Sequence, residues 1–104
     1  MSAKIPRICV VGSSNIDLTF RSSRLPKPGE TLAGDAFHLG FGGKGGNQAV
    51  MAARLGARVA MVSKVGNDVF GEQTLRNYRE QSVETSHVHV DPERPSGVAA
   101  ILLS

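Results

Sequence analysis

Apolar positions follow two rhythms along this chain. Ile5 to Val11 is a short β-branched run stopped by Gly12-Ser13-Ser14, the pattern of a strand buried on both faces of an α/β sheet. From Asn15 the rhythm becomes alternation: Asn15, Asp17, Thr19 and Arg21 share one face, and Ile16, Leu18 and Phe20 the other. Pro26, Pro28 and Gly29 impose a turn, and Thr31 to Leu39 returns as a second strand with Ala33, Phe37 and Leu39 favouring one face. With Leu18 to Ser22 this predicts a small sheet outside the main one. Ala49 to Leu55 is rich in helix formers and is followed by Gly56, a residue suited to the position after a helix end. Val59 to Val65 is a second buried strand. Gly66-Asn67-Asp68 leads from it into a helix over about Phe70 to Gln81, with Asp68 as cap and Phe70, Thr74, Leu75 and Tyr78 on one packing face. Two further strands are expected, Val83 to Val90 and Ser96 to the end, where the turn Arg94-Pro95-Ser96-Gly97 opens into Val98 to Leu103. Strands alternating with helices give an α/β chain with a parallel sheet.

Between the second strand of the small sheet and the first helix lies Gly40-Phe41-Gly42-Gly43-Lys44-Gly45-Gly46-Asn47-Gln48, with five of the chain's 12 glycines. Glycine at that density loses backbone entropy on folding, so it is expected where φ is positive or where another molecule meets the backbone. Placed before a helix, it predicts a binding loop whose unpaired amides and positive dipole end hold anions or hydroxyl oxygens, with Asn47 either capping the helix or facing a ligand. A Walker A loop is excluded, because Lys44 is followed by Gly45 rather than Ser or Thr. Gly40, Gly42 and Gly45 do spell the dinucleotide G-x-G-x-x-G, with Asp68 lying 23 residues beyond Gly45. That fingerprint should follow a fully buried strand, however, and Asp35 to Leu39 alternates as a half-exposed one does. Asn15 and Asp17 lie beyond the carboxyl end of the first strand, where ligands of such sheets bind. An ionised carboxylate accepts from a pair of vicinal hydroxyls and an amide both donates and accepts, although an Asx-turn or a solvated strand face would use the same residues.

At 104 residues the chain makes at most one domain, burying about two-thirds of its unfolded surface. Its 12 Lys and Arg against 9 Asp and Glu give a net charge of +3 without clustering, which gives little support to a nucleic-acid or membrane partner. No apolar run approaches a membrane span, and residues 1–7 lack the apolar core of a signal peptide, so a cytoplasmic location is expected. The single cysteine, Cys9, reads as a small buried hydrophobe. His87 and His89 share a strand face with no third ligand in view, so no metal site is expected there.

The run Gly42-Gly43-Lys44-Gly45-Gly46-Asn47-Gln48-Ala49, followed by Gly56 and Gly66, resembles the N-terminal signature of the ribokinase-type (PfkB) family of carbohydrate kinases. Val10 to Asp17 is similar to the family's opening strand with its Asn-x-Asp sugar contact, and Leu25 to Thr31 to its next turn. The Lys-Gly-Gly-Asn-Gln form of the loop is closest to the ribokinase branch. The resemblance covers essentially the whole chain and implies a Rossmann-like three-layer α/β/α ribokinase fold carrying a small β-sheet lid. Residues 1–104 would be the N-terminal part of one such domain, with lid strands at about 18–39 and 96–104. A strand that reaches Ser104 with no turn and no return gives the same expectation of a longer parent.

The resemblance further implies an ATP-dependent kinase that phosphorylates the primary hydroxyl of D-ribose, giving ribose 5-phosphate. Asn15, Asp17, Gly42, Gly43, Lys44 and Asn47 would hold the sugar. Mg2+ and a monovalent cation such as K+ would assist, and a homodimer would form through the lid. The aspartate base, its anion hole and the ATP pocket would all lie beyond Ser104, so the chain alone would be inactive. Ala33-Gly34-Asp35-Ala36-Phe37 is similar to the family's catalytic loop, but Leu32 replaces its first glycine and the segment precedes the sugar loop, so Asp35 is read as a solvent-facing lid residue. A shortened product that binds sugar, or pairs with an intact kinase through the lid, is the competing reading. A nucleotide-binding oxidoreductase ranks third.

Overall fold

A computed structural model describes residues 4–104. Its parallel sheet starts from the β-branched run Arg7–Val11, strand β1, which pairs in parallel with Arg58–Gly66, strand β4, in the register Cys9↔Ala60 and Val10↔Met61. The other edge of β4 carries two short strands, β5 (Val83–Glu84) against Val59–Ala60 and β6 (Val88–Asp91) against Ser63–Gly66. The single strand expected over Val83 to Val90 is therefore two, broken at Thr85-Ser86-His87, where the Val88 amide turns back to the Thr85 carbonyl at 3.0 Å. His87 thus sits in the break and His89 in β6, so the two do not share a strand face.

Two helices connect the strands. Helix α1 (Lys44–Arg54) ends at Leu55 with Gly56 following at φ 98°, and helix α2 (Val69–Glu80) is capped by Asp68, which accepts from the Gly71 amide at 2.8 Å. In the order β1-β4-β5 both crossovers move the same way across the sheet, and right-handed crossovers then deliver both helices to one face. Ala49 of α1 and Tyr78 of α2 meet Val59, Met61 and Val65 of β4, Val83 and Val88 there, and this cluster is the core. The expectation that β1 is buried on both faces fails for the same reason: with helices on one side only, Val10 is half-buried while Cys9 and Val11 are exposed. Cys9 is not the buried hydrophobe expected.

Between β1 and α1 the chain builds a second sheet. Strand β2 (Asn15–Arg21) pairs antiparallel with β3 (Ala36–Gly42) and in parallel with β7 (Gly97–Leu103), in the order β3-β2-β7. Thr31 to Asp35, expected in strand, lies outside β3. The preceding turn has Pro28 and Gly29 (φ 77°) at its centre and the Glu30 amide bonded to the Lys27 carbonyl at 3.0 Å, the type II pattern, and pairing with β2 resumes after the Asp35 amide reaches the Arg21 carbonyl at 2.9 Å. Asp35 itself is exposed. The root of this sheet packs on the helices, with Ile16 fully buried, and its tip projects away from them.

Candidate functional site

The site grows from the point where β1 ends. The Gly12 amide keeps the ladder, donating to the Val62 carbonyl at 3.1 Å, and the next two residues are then fixed by three different elements. The Ser13 carbonyl accepts from the Gly46 amide of α1 at 3.1 Å. The Ser14 hydroxyl, buried, shares hydrogen bonds with Ser63 Oγ of β4 at 2.9 Å and with Tyr78 Oη of α2. Burial raises the Tyr78 pKa and the Ser14 bond offsets part of that, so the phenol stays protonated through neutral pH. Asn15 follows directly.

Asn15 and Asp17 point to one face of β2, as alternation requires. Their cross-strand neighbours on that face are unusually small: Gly42 and Gly40 on β3, Gly97 and Ala99 on β7. A Cβ placed on Gly42 would lie 2.6 Å from Asp17 Oδ2, and one on Gly97 would collide with Asn15 Oδ1. The two glycines therefore clear a strip in which a carboxylate and an amide stand side by side. Both residues are half-buried, and the side-chain hydrogen bonds found among the described residues engage neither of them. The pair is left available to an external donor and acceptor.

The expected binding loop is shorter than its glycine content suggests. Strand β3 runs through Gly42, helix α1 begins at Lys44, and the whole reversal is made by Gly43 at φ 91° and ψ 132°. Side chains rarely adopt that φ, and a Cβ there would also lie 2.6 Å from the Ser13 carbonyl. Gly43 supplies no side-chain cap and the first turn of α1 has no acidic residue. The Asn47 amide bonds within the helix to the Gly43 carbonyl at 3.0 Å, so Asn47 does not cap α1. With the Gly46 amide taken by Ser13, the Lys44 and Gly45 amides are left at the positive end of the helix, where oxygens are favoured.

The structure thus brings Asn15, Asp17, Gly42 and Gly43 into contact and sets Lys44 immediately after them, exposed at the helix start. Asn47 lies exposed three residues along α1 from Lys44, on the same helix face, and borders the groove where α1 meets α2. Two features that shape the strip escape a sequence reading. Gly97, expected in a turn, opens β7 beside Asn15. Ser96 anchors it there: its amide and hydroxyl donate to the Asp68 carboxylate at 2.8 and 2.7 Å, and its Oγ accepts from the Gly66 amide at 2.9 Å. These bonds, the Ser96 amide first and the Gly71 amide next, hold the Asp68 pKa below the ordinary carboxylate value. The glycine fingerprint of a dinucleotide fold is disfavoured too, since Gly40 and Gly42 belong to β3 outside the parallel sheet and Asp68 is engaged as a cap. Among the described residues no three His, Cys, Asp or Glu side chains come together as metal ligands, and no helix is long and apolar enough to cross a membrane.

The model of the pfkB family carbohydrate kinases matches residues 6–104. Mouse (Mus musculus) ribokinase is 46% identical over 97 residues, covering 93% of this chain and 30% of its own length. Salmonella typhimurium deoxyribokinase is 45% identical over 97 residues, covering 93% of this chain and 32% of its own length. The structure of Arabidopsis thaliana ribokinase complexed with ribose and ATP superposes with a TM-score of 0.90 at 32% identity, over 95% of this chain and 32% of that one. The chain spans about a third of the length of the curated relatives it matches.

Proposed function

The chain belongs to the pfkB family of carbohydrate kinases and has the ribokinase fold, and from that premise we propose that it forms the sugar-binding part of an ATP-dependent ribose kinase. The observation that carries the reading is the strip between Gly42 and Gly97, where Asp17 and Asn15 stand free beside the start of α1. Asp17 accepts from two adjacent hydroxyls of the sugar, and Asn15 accepts from one and donates to another. The Gly42 and Gly43 backbone and the first amides of α1 meet the remaining oxygens. Lys44 and Asn47, one above the other on the helix, supply a cation and an amide at its mouth. Such positioning is most of what a phosphoryl transfer asks of the acceptor side.

Ribose, phosphorylated on its primary hydroxyl, is the preferred substrate because a ribokinase bound to ribose is the structure matched with a TM-score of 0.90. Deoxyribose is the close alternative, since a deoxyribokinase is as similar as the mouse ribokinase. ATP is the phosphate donor, on the strength of the same complex. Mg2+ and a monovalent cation such as K+ are implied by the family resemblance alone, and no step is assigned to them. The described aspartates outside the strip are otherwise placed: Asp35 is exposed at the bend before β3, Asp68 caps α2, and Asp91 pairs with Lys64 at 3.3 Å. The base for the attacking hydroxyl is assigned beyond Ser104, and the protein to the cytoplasm.

Asp17→Ala in the intact protein that carries this chain tests the reading. Losing a carboxylate that takes two charge-assisted hydrogen bonds should raise the KM for ribose by about 100-fold or more, on roughly 3 kcal/mol for the two bonds. An unchanged ribose dependence would count against the site. ADP formation with ribose by the purified 104-residue chain alone would overturn its assignment as the sugar-binding part only.

A second reading rests on the tip of the second sheet, where the Phe20 and Phe37 rings pack tilted by 43° with 5.4 Å between centroids yet remain 40% and 60% exposed. That face suits a homodimer contact between lids, or pairing of this chain with an intact kinase. A heterodimer seen by size on mixing the two proteins would support it.

A further inference from the structure

The buried hydroxyl cluster beneath Asn15 is not accounted for by sugar contacts. Tyr78 is 2% exposed and Ser14 6% exposed, and their hydroxyls are bonded to each other. A buried phenol requires a partner. Tyr78 Oη has one in Ser14 Oγ, whose second partner is Ser63 Oγ at 2.9 Å. One residue earlier, the Ser13 carbonyl takes the Gly46 amide at 3.1 Å. Helix α2, strand β4 and the first turn of α1 thus converge on the two residues that precede Asn15. Tyr78 touches α1 as well: a Cβ on Gly46 would lie 2.6 Å from its Oη but 3.6 Å from its Cζ. The obstruction at position 46 is the hydroxyl rather than the ring.

Resting on the ribose-kinase reading, we infer that the Tyr78 hydroxyl is a positioning group for the sugar site. It ties the Ser13-Ser14 step to the first turn of α1, and in this protein it is what confines position 46 to glycine. Asn15 and Asp17 follow Ser14 on one wall of the site. Lys44 and the free amides of α1 precede Gly46 on the other. A hydroxyl that touches both sides sets the distance between two groups that must grip one small molecule.

Three variants of the intact protein decide it: Tyr78→Phe, Gly46→Ala and the double variant, each assayed for the KM of ribose, the KM of ATP and the melting temperature. Tyr78→Phe should raise the ribose KM about fivefold to tenfold and leave the ATP KM within twofold of wild type. Gly46→Ala should raise it further, because the new methyl displaces Tyr78 or the helix. Adding Tyr78→Phe to Gly46→Ala should lower the ribose KM again, since Cζ leaves room where Oη does not. A purely structural tyrosine would instead lower the melting temperature and the active fraction with the ribose KM unchanged. That result, or a double variant whose effects multiply, overturns the inference. Wild-type protein with no sugar-dependent turnover would overturn the ribose-kinase reading itself. The coupling of Tyr78 to Gly46 is then read from melting temperatures, where additive losses reject it and a partial recovery in the double variant sustains it.

Discussion

Three glycines of the site do different work, and substitution should separate them. At Gly97 an added methyl meets the far end of a flexible side chain, Asn15 Oδ1, so the side chain swings and the backbone stays. Gly97→Ala is expected to raise the ribose KM by about tenfold, the worth of roughly one hydrogen bond, with a melting temperature close to wild type. Gly43 is the opposite case. Its φ of 91° and its 2.6 Å approach to the Ser13 carbonyl oppose a side chain through the backbone itself, and Gly43→Ala should cost about 2–3 kcal/mol in chemical denaturation. Gly42 lies between them, its methyl aimed at the Asp17 carboxylate. At this scale the sequence is informative about chemistry and poor on proximity. The glycine run stands out because five glycines before a helix have few other uses, whereas Asn15 and Asp17 would serve an Asx-turn or a solvated strand face as well and are singled out only by the family resemblance. Gly97 and Tyr78 do not stand out, because one closes an ordinary-looking turn and the other sits at ordinary helix spacing. Their roles come from residues 82 and 32 positions away, Asn15 and Gly46.

At the scale of elements, α2 and the end of α1 were readable because capping and periodicity are local: Asp68 and the Thr74–Tyr78 face mark α2, and Gly56 the end of α1, to within a residue or so. The start of α1 was not, since it begins at Lys44, five residues before Ala49, because glycines read as loop form its first turn. Strands were less so. Whether β1 is covered on one face or two depends on the direction of two crossovers, and where β3 starts depends on its pairing with Arg21. The Asp68–Ser96 clamp is likewise nonlocal, joining the cap of α2 to the start of β7. Asp68→Ala removes the cap and both Ser96 bonds and should cost about 2 kcal/mol, the upper part of the range for N-caps. The clamp also gives acid sensitivity a sign. Because the folded pKa of Asp68 lies below its unfolded value of about 4, its stabilisation is fully present above pH 4 and is lost as pH falls through the folded pKa. Asp91 acts in the same sense, its pKa lowered to about 2 by the Glu93 and Arg94 amides with help from Lys64. Melting temperatures followed from pH 6 down to 2 should therefore fall below pH 4 in the wild type. In Asp68→Asn they should start lower and fall less, and a parallel pair of curves would show that Asp68 is not the group that titrates.

For the whole molecule, surface decides more than contacts do. A compact domain of this length has a radius of gyration of about 13 Å, whereas this chain has 16.8 Å, drawn out to 63 × 33 × 18 Å by the projecting second sheet. Its accessible surface is 7411 Å², against about 5,600 Å² for a folded monomer of this mass. The excess, roughly 1,800 Å², is about twice what one partner buries in a standard-size protein–protein interface, roughly 800 Å². Exposed apolar side chains include a group at the tip of the second sheet, Phe20, Phe37 and Leu102, and another on the edge strand β1, Ile8 and Val11. Hydrophobic burial scales with the area removed from water, so the 104-residue chain by itself has a small margin against the entropy of ordering its backbone. Isolated, it should unfold in urea with a slope well below that of a compact domain of equal length, since the slope follows the area exposed on unfolding. It should also bind a hydrophobic dye at neutral pH. The intact protein, if it covers these two surfaces, should bind little dye. Replacing Phe37 by Ser in the isolated chain should then lower dye binding without lowering the midpoint, because an exposed aromatic contributes little to folding. A drop in the midpoint would mean instead that the Phe20–Phe37 contact is itself a source of the second sheet's stability.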